Sequence, residues 1–221
     1  MTTDSPAPHD PIRHAIILCH PEPGSFNHAV AETYCAAVRE NWQEAIVRDL
    51  YAMRFDPLLR SDERPTRSDG HVSDDVRREL ATLASCDIVI LVYPIWFGTP
   101  PAMMKGYVER VLGSGVTPQA VEAGTGMSLL SGKRLLSFTT SATRAPWLSE
   151  RGEWLALRDL FDRYIAKAFG MRADQHVHLA GIIPDISPQA GREHLERVRQ
   201  QARETCALLA ADRHRRQAIR D

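Results

Sequence analysis

Three short runs of apolar, largely β-branched residues, at 14–19, 87–93 and 134–140, constrain the fold of this chain more than any other feature. Each is apolar at consecutive rather than alternate positions, so as a strand it must be covered on both faces, which is the pattern of the interior of a parallel sheet. Two mixed runs, 45–50 and 175–180, read as flanking or edge strands. Between them, residues 27–41, 72–85, 101–112, 153–169 and 188–211 carry apolar side chains at helical spacing, with Ser73, Ser187 and Pro188 as start signals. Strand and helix alternate throughout, which implies right-handed βαβ crossovers and a three-layer α/β architecture. Five parallel strands at this spacing suit the order 2-1-3-4-5.

With 221 residues, the chain is expected to form one domain over 13–212, preceded by a disordered, Pro-rich segment 1–12 and followed by a solvated basic end, 213–221. A formal net charge of −1 gives no footprint for nucleic acid or an acidic membrane surface and makes a small molecule the default partner. Cys19, Cys35, Cys86 and Cys206 lack C-x-x-C spacing, so they read as core residues of a cytoplasmic protein and imply no metal. No apolar run has the length to span a bilayer. The connections 51–70 and 113–132 exceed ordinary αβ and βα loops, and connections of that length tend to be functional.

In an open parallel sheet, ligands bind at the carboxyl edge, where three loops of this chain should meet. In CHPEPGSFNHAV, Gly24 permits a sharp turn, Ser25 offers a hydroxyl and a cap, and the N–H groups of Phe26 and Asn27 open a helix toward an anion. His20 could add a donor; a plain capped turn is the alternative. The second loop, Pro94-Ile95-Trp96-Phe97-Gly98, leaves two large aromatics where a planar partner could stack, or where they fold back over the core. The third loop carries the hydroxyls of Thr139, Thr140 and Ser141. Cradle, platform and polar edge together suit a flavin nucleotide.

The motifs HPEPGSFN, YPIWFGTPPAMMKGYVERVL and FTTSATRAPW, over about 13–210, resemble the NAD(P)H quinone dehydrogenase family of flavodoxin-like flavoproteins, which includes ancillary quinone reductases of bacterial potassium-efflux systems. The resemblance implies that His20, Ser25, Phe26 and Asn27 hold the flavin phosphates. Pro94, Ile95, Trp96, Phe97 and Gly98 would line the isoalloxazine, and Thr139, Thr140 and Ser141 its polar edge. Arg192 matches an arginine that reaches the adenine end of FAD in animal relatives, which favours FAD, with FMN the alternative. A homodimer is implied too, with 113–132, including Met127 and Leu129, meeting the partner. The chain departs from the family where relatives carry Gly-Gly after the Thr-Thr pair, here Ser141-Ala142, and where they use a tyrosine and a histidine to stabilise charge on the reduced ring, here Trp147 and Glu153, so these last two become the candidate catalytic residues. An indole can only donate a hydrogen bond, which puts the relatives' relay in doubt.

The function so implied is ping-pong transfer of hydride from NAD(P)H through the flavin to a quinone or another flat electrophile. The rivals are a flavin electron carrier, a biosynthetic flavoenzyme for one metabolite, and a flavin-binding regulatory subunit of a transporter. His176 and His178 read as structural, and Glu109 and Arg110 as members of intrahelical or interface ion pairs.

Overall fold

A computed structural model describes residues 10–64, 71–123, 128–143 and 158–218. Strands β1 (Arg13–Leu18), β2 (Glu44–Asp49), β3 (Ile88–Pro94), β4 (Arg134–Ser141) and β5 (Arg172–Ala180) form one sheet in the order β2-β1-β3-β4-β5, and every neighbouring pair is parallel. Among the described residues the α-helices are α1 (Phe26–Glu40), α2 (Asp74–Ala84), α3 (Ala102–Tyr107), α4 (Pro118–Ala123), α5 (Tyr164–Ala168) and α6 (Pro188–Ala218). The expected three-layer flavodoxin-like architecture with strand order 2-1-3-4-5 is therefore the observed one.

Consecutive strand residues serve opposite cores, which is why the strands read as unbroken apolar runs. Ile16, Leu18, Ile90, Val92 and Phe138 pack with α1 and α6 on one face. Ala15, Ile17, Leu91, Tyr93 and Leu135 pack with α2, α3 and α5 on the other.

Four details differ from the sequence reading. β5 begins at Arg172, earlier than its weak apolar pattern indicates, because pairing with β4 extends it across an irregularity at Leu135/Leu136. The connection before β4 contains α4, and the one before α2 a single 3₁₀ turn at Ser61–Glu63. α3 widens into a π-turn over Val108–Leu112, closed by Gly113 N–H donating to Val108 O at 2.8 Å. Finally, α6 continues through Arg213, whose guanidinium donates to the backbone oxygens of Asp10 and Pro11 and pairs with Asp87 at 3.4 Å, so this part of the basic stretch is anchored rather than frayed.

The π-turn aims Arg110 away from its own helix. Its neighbour Glu109 pairs with Lys105 one turn back, as expected, but Arg110 is buried against other segments. It binds Glu63 at 2.6 Å and Asp75 at 2.8 Å, donates to Ser73 Oγ at 2.9 Å and lies 5.3 Å over the Phe55 ring. A few residues before it, Gly106 faces the Pro57 backbone with no room for a β-carbon. Glycine and arginine of the Lys-Gly-x-x-x-Arg-Val motif thus hold the described part of the 51–70 connection against α3.

A polar cluster crosses the α1 core. His14 Nδ1 lies 2.9 Å from Tyr34 Oη, His14 Nε2 lies 2.7 Å from Gln43 Oε1, and Gln43 Nε2 donates to Cys206 O at 3.0 Å. Burial pushes the His14 imidazole down to about 4. The folded state then refuses a proton that the unfolded chain accepts near pH 6.5. Stability is full above that pH and falls as pH drops toward 4. A urea midpoint that does not move between pH 7.5 and 4.5 would remove His14 from this account.

Candidate functional site

The β1–α1 loop builds its turn as the sequence indicates. Gly24 has φ +75, a value that favours glycine, and Ser25 occupies the cap position of α1. Nothing in the described chain accepts from the Phe26 and Asn27 N–H groups, as expected of a first helical turn. The side chains do other work than the sequence reading gave them. Ser25 makes no side-chain cap bond; its Oγ lies 2.9 Å from His28 Nδ1, and His28 Nε2 lies 3.2 Å from Asp49 at the end of β2. His28 is thus a member of the cluster that the sequence reading missed, although its i+3 spacing from Ser25 was visible. The Phe26 ring leaves the loop and packs against His194 of α6, with centroids 6.2 Å apart. Asn27 is buried and donates through Nδ2 to Thr140 Oγ1 at 3.0 Å, a strut between the start of α1 and the end of β4.

The loop after β3 is a tight turn. Trp96 and Thr99 exchange backbone hydrogen bonds of 3.0 and 3.1 Å, with Phe97 at φ 51 and Gly98 at φ 78 between them. Two successive positive φ values define a type I′ turn, which suits Gly98 and is costly for Phe97 by about 1–2 kcal/mol. Phe97 is fully exposed and Trp96 is 40% exposed, so neither folds back over the core. The Trp96 N–H closes this turn and the Ile95 N–H donates to Thr140 O at 2.7 Å, which leaves the N–H groups of Phe97 and Gly98 as the donors the turn presents.

Thr139 and Thr140 end the strand expected over 134–140, and β4 continues through Ser141, so the three hydroxyls stand on the strand end and not on the loop beyond it. Their hydroxyls are engaged: Thr139 Oγ1 with His176 and His178, Thr140 Oγ1 with Asn27, and Ser141 Oγ with His178 and Thr143 O. His176 and His178 therefore carry polar contacts to the site strand.

Three segments of the predicted site are brought together at one edge. His20, partly buried, has its ring 5.7 Å from Trp96 and 6.5 Å from His28. His20 Nδ1 lies 3.1 Å from Glu22 N–H, which donates to it, and 3.3 Å from Glu22 O, which leaves Nε2 facing away from this turn. Burial, with His28 nearby, lowers its pKa and favours the neutral ring. Pro94 ends β3, buried beside Thr140 in the ladder. Arg192 is exposed on the first turn of α6, one residue from Gly191, which faces Phe26. Trp147, Glu153 and Met127 lie outside the described residues; Leu129 is exposed. Among the described residues, no group of three or more His, Cys, Asp or Glu could hold a metal ion, and no helix is long and apolar enough to cross a membrane.

An all-parallel sheet in the order β2-β1-β3-β4-β5, with loops and a helix N-terminus gathered at its carboxyl edge, defines the doubly wound, open-sheet class of α/β protein. Comparison with known proteins narrows it: residues 13–202 match the family described as flavodoxin-like fold, and the chain belongs to that family. It is 33% identical over 142 residues to an uncharacterized NAD(P)H oxidoreductase of Haemophilus influenzae, covering 64% of this chain and 70% of that one. It is 34% identical over 149 residues to NAD(P)H dehydrogenase [quinone] 1 of Rattus norvegicus, covering 59% of this chain and 54%, about half, of the relative. Among solved structures, an NAD(P)H:quinone oxidoreductase from Methanothermobacter marburgensis superposes with a TM-score of 0.77 at 21% identity, over 88% of this chain and 96% of that one. Other structures of this fold were solved with FMN.

Proposed function

We propose that this chain is a flavin-dependent NAD(P)H oxidoreductase that reduces a quinone or similar flat electrophile by a ping-pong mechanism. The observation that carries this reading is the pinning of the β1, β3 and β4 ends to one another, through Asn27–Thr140 and His20–Trp96, around donors with no acceptor of their own. The residues of this edge fit a flavin. The N–H groups of Phe26 and Asn27, with His20 Nε2 and Ser25 Oγ, would take its phosphate. Trp96 and Phe97 would cover one side of the ring, and the Phe97 and Gly98 N–H groups would stabilise negative charge developing on it. A bound flavin supplies the redox chemistry, accepting hydride from the nicotinamide and passing it to the acceptor; the protein positions both and excludes water.

The relatives' names support NAD(P)H and a quinone as substrates. FMN is the proposed cofactor, because Arg192 is exposed and FMN complexes occur in this fold. FAD is the second reading, favoured by the contact of the first turn of α6 with Phe26. We also propose a homodimer in a reducing cytoplasm, consistent with four free, buried cysteines.

The purified protein should be yellow, release a chromophore with the mass of FMN, bleach anaerobically with NADH or NADPH and recover with a quinone. A colourless protein that neither FMN nor FAD reconstitutes defeats the reading. Asn27→Ala together with Ser25→Ala should weaken flavin binding on the order of tenfold or more, the equivalent of one lost hydrogen bond near a charged group. Unchanged occupancy would remove the cradle.

A further inference from the structure

The hydroxyl and imidazole groups of β4 and β5 form one continuous chain. Asp162, on the turn before α5, accepts from Ser137 Oγ at 2.7 Å and pairs with His176 Nδ1. His176 Nε2 lies 2.6 Å from Thr139 Oγ1, which lies 2.9 Å from His178 Nδ1. His178 Nε2 lies 3.0 Å from Ser141 Oγ, which donates to Thr143 O at 3.0 Å.

With Asp162 taken as a carboxylate and His178 as neutral, counting protons over these bonds gives each a direction. A hydroxyl or a neutral imidazole carries one donor proton, and a carbonyl only accepts. Ser141 gives its proton to Thr143 O, so His178 donates through Nε2 and accepts at Nδ1 from Thr139. Thr139 must then accept from His176 Nε2. His176 also donates through Nδ1 to the Asp162 carboxylate, so it holds both ring protons.

We infer that this chain is a proton wire, with one proton stored at His176 beside Asp162 and delivered at Ser141 Oγ, at the carboxyl edge of the sheet. Discharge reverses each bond. Ser141 O–H passes its proton outward, His178 Nε2 gives to Ser141, Thr139 to His178 Nδ1, and His176 Nε2 to Thr139, leaving His176 neutral. The Thr143 carbonyl keeps a partner when Ser141 turns away, because Gly181 N–H donates to it at 3.1 Å.

The surroundings place the stored proton at one end. The His176 side chain is 2% exposed and its carboxylate partner 8%. Burial pushes the His178 imidazole down to about 4, helped by His176, Arg197 and His194, so His178 transmits the proton and does not hold it. The open groove that Glu193, Glu196 and Arg197 of α6 line along β5 lies on the α6 face of the sheet, opposite the His176–Asp162 pair. From β3, Tyr93 is in register with Thr139; its buried hydroxyl has no hydrogen-bond partner among the described residues.

This inference rests on the proposed function, which needs such a proton. Reduction of a quinone by NAD(P)H consumes one proton beyond the hydride: NAD(P)H, quinone and H⁺ give NAD(P)⁺ and hydroquinone. The wire supplies that proton.

Nitrogen NMR of the histidine rings in the flavin-free protein at pH 7 tests the store directly. His176 should show two protonated nitrogens and His178 only Nε2–H; a singly protonated His176 overturns the inference whatever the chain binds. In flavin-loaded protein, Thr139→Val should leave the visible spectrum unchanged and lower quinone turnover on the order of 10²-fold, within the range of general acid catalysis. Thr139→Ser, or added imidazole, should restore it. Unchanged turnover in Thr139→Val, or a loss that neither remedy repairs, overturns the wire. Failure to take up flavin would instead strike the proposed function and leave the NMR result to decide.

Discussion

Arg110→Met is expected to destabilise the fold by about 3–5 kcal/mol, the usual cost of removing one partner from a buried ion pair. The side chain of Arg110 is 1% exposed and that of Glu63 5% exposed, so neither can recover its hydration when the other is lost. The same change should alter the acid limb of stability. Hydrogen bonds from Arg110 hold Glu63 down at about 2. Burial pushes Asp75 up, but Arg110 and Ser73 outweigh it and bring that group also to about 2. Because the unfolded carboxylates take up protons near pH 4, their contribution is present above that pH and disappears as pH falls toward 2. Urea unfolding of wild type and variant at pH 7 and at pH 3 measures both effects. A loss below 1 kcal/mol at pH 7, or an equal loss at both pH values, would show that the clamp is not an electrostatic one.

Gly106→Ala should be comparably damaging for a steric reason. A β-carbon there would stand 2.6 Å from Pro57 Cα and nearer still to its carbonyl oxygen and β-carbon, and backbone cannot yield as a flexible side-chain end does. Overpacking of this kind costs about 3 kcal/mol. Alanine is otherwise the better helix former, by about 1 kcal/mol, so a stabilised variant would show that the 51–64 segment moves aside freely. Both substitutions release the same segment from α3. The double variant should therefore lose less than the sum of the two, and strict additivity would argue that they act on separate structures.

These two positions also explain what the sequence could and could not reveal. The sheet was legible because runs such as Ile88–Val92 serve two cores at once, and only a doubly covered strand asks for that pattern. The turn after β1 was legible because glycine, a cap residue and an open helix start are local signals. The clamp was not, because Glu63, Ser73 and Asp75 meet Arg110 across 47, 37 and 35 residues, and nothing in the local pattern of any one of them records the others. Thr139 and Thr140 were legible as the end of the strand run 134–140, and what the sequence did not reveal is that Ser141 continues the strand. These residues are held in β4 by partners on both sides, and their hydroxyls are satisfied by Asn27 and two histidines far along the chain.

The pairing of Asn27 with Thr140, 113 residues apart, has a consequence for the order in which the molecule is made. β1 finds its inner neighbour only after 74 residues, at Ile88, and β4 is closed on its outer side only when His178 and Leu179 pair with Thr139 and Thr140. Chain emerging from the ribosome can complete β1, α1 and β2 early, yet the edge they contribute to is finished by the last strand. Non-local pairing of this kind is slow to form and leaves apolar strand faces uncovered in the interval. Completion of this edge is in that sense a late event of biosynthesis, and a nascent chain halted before β4 would carry the open start of α1 without the strand it is strutted against.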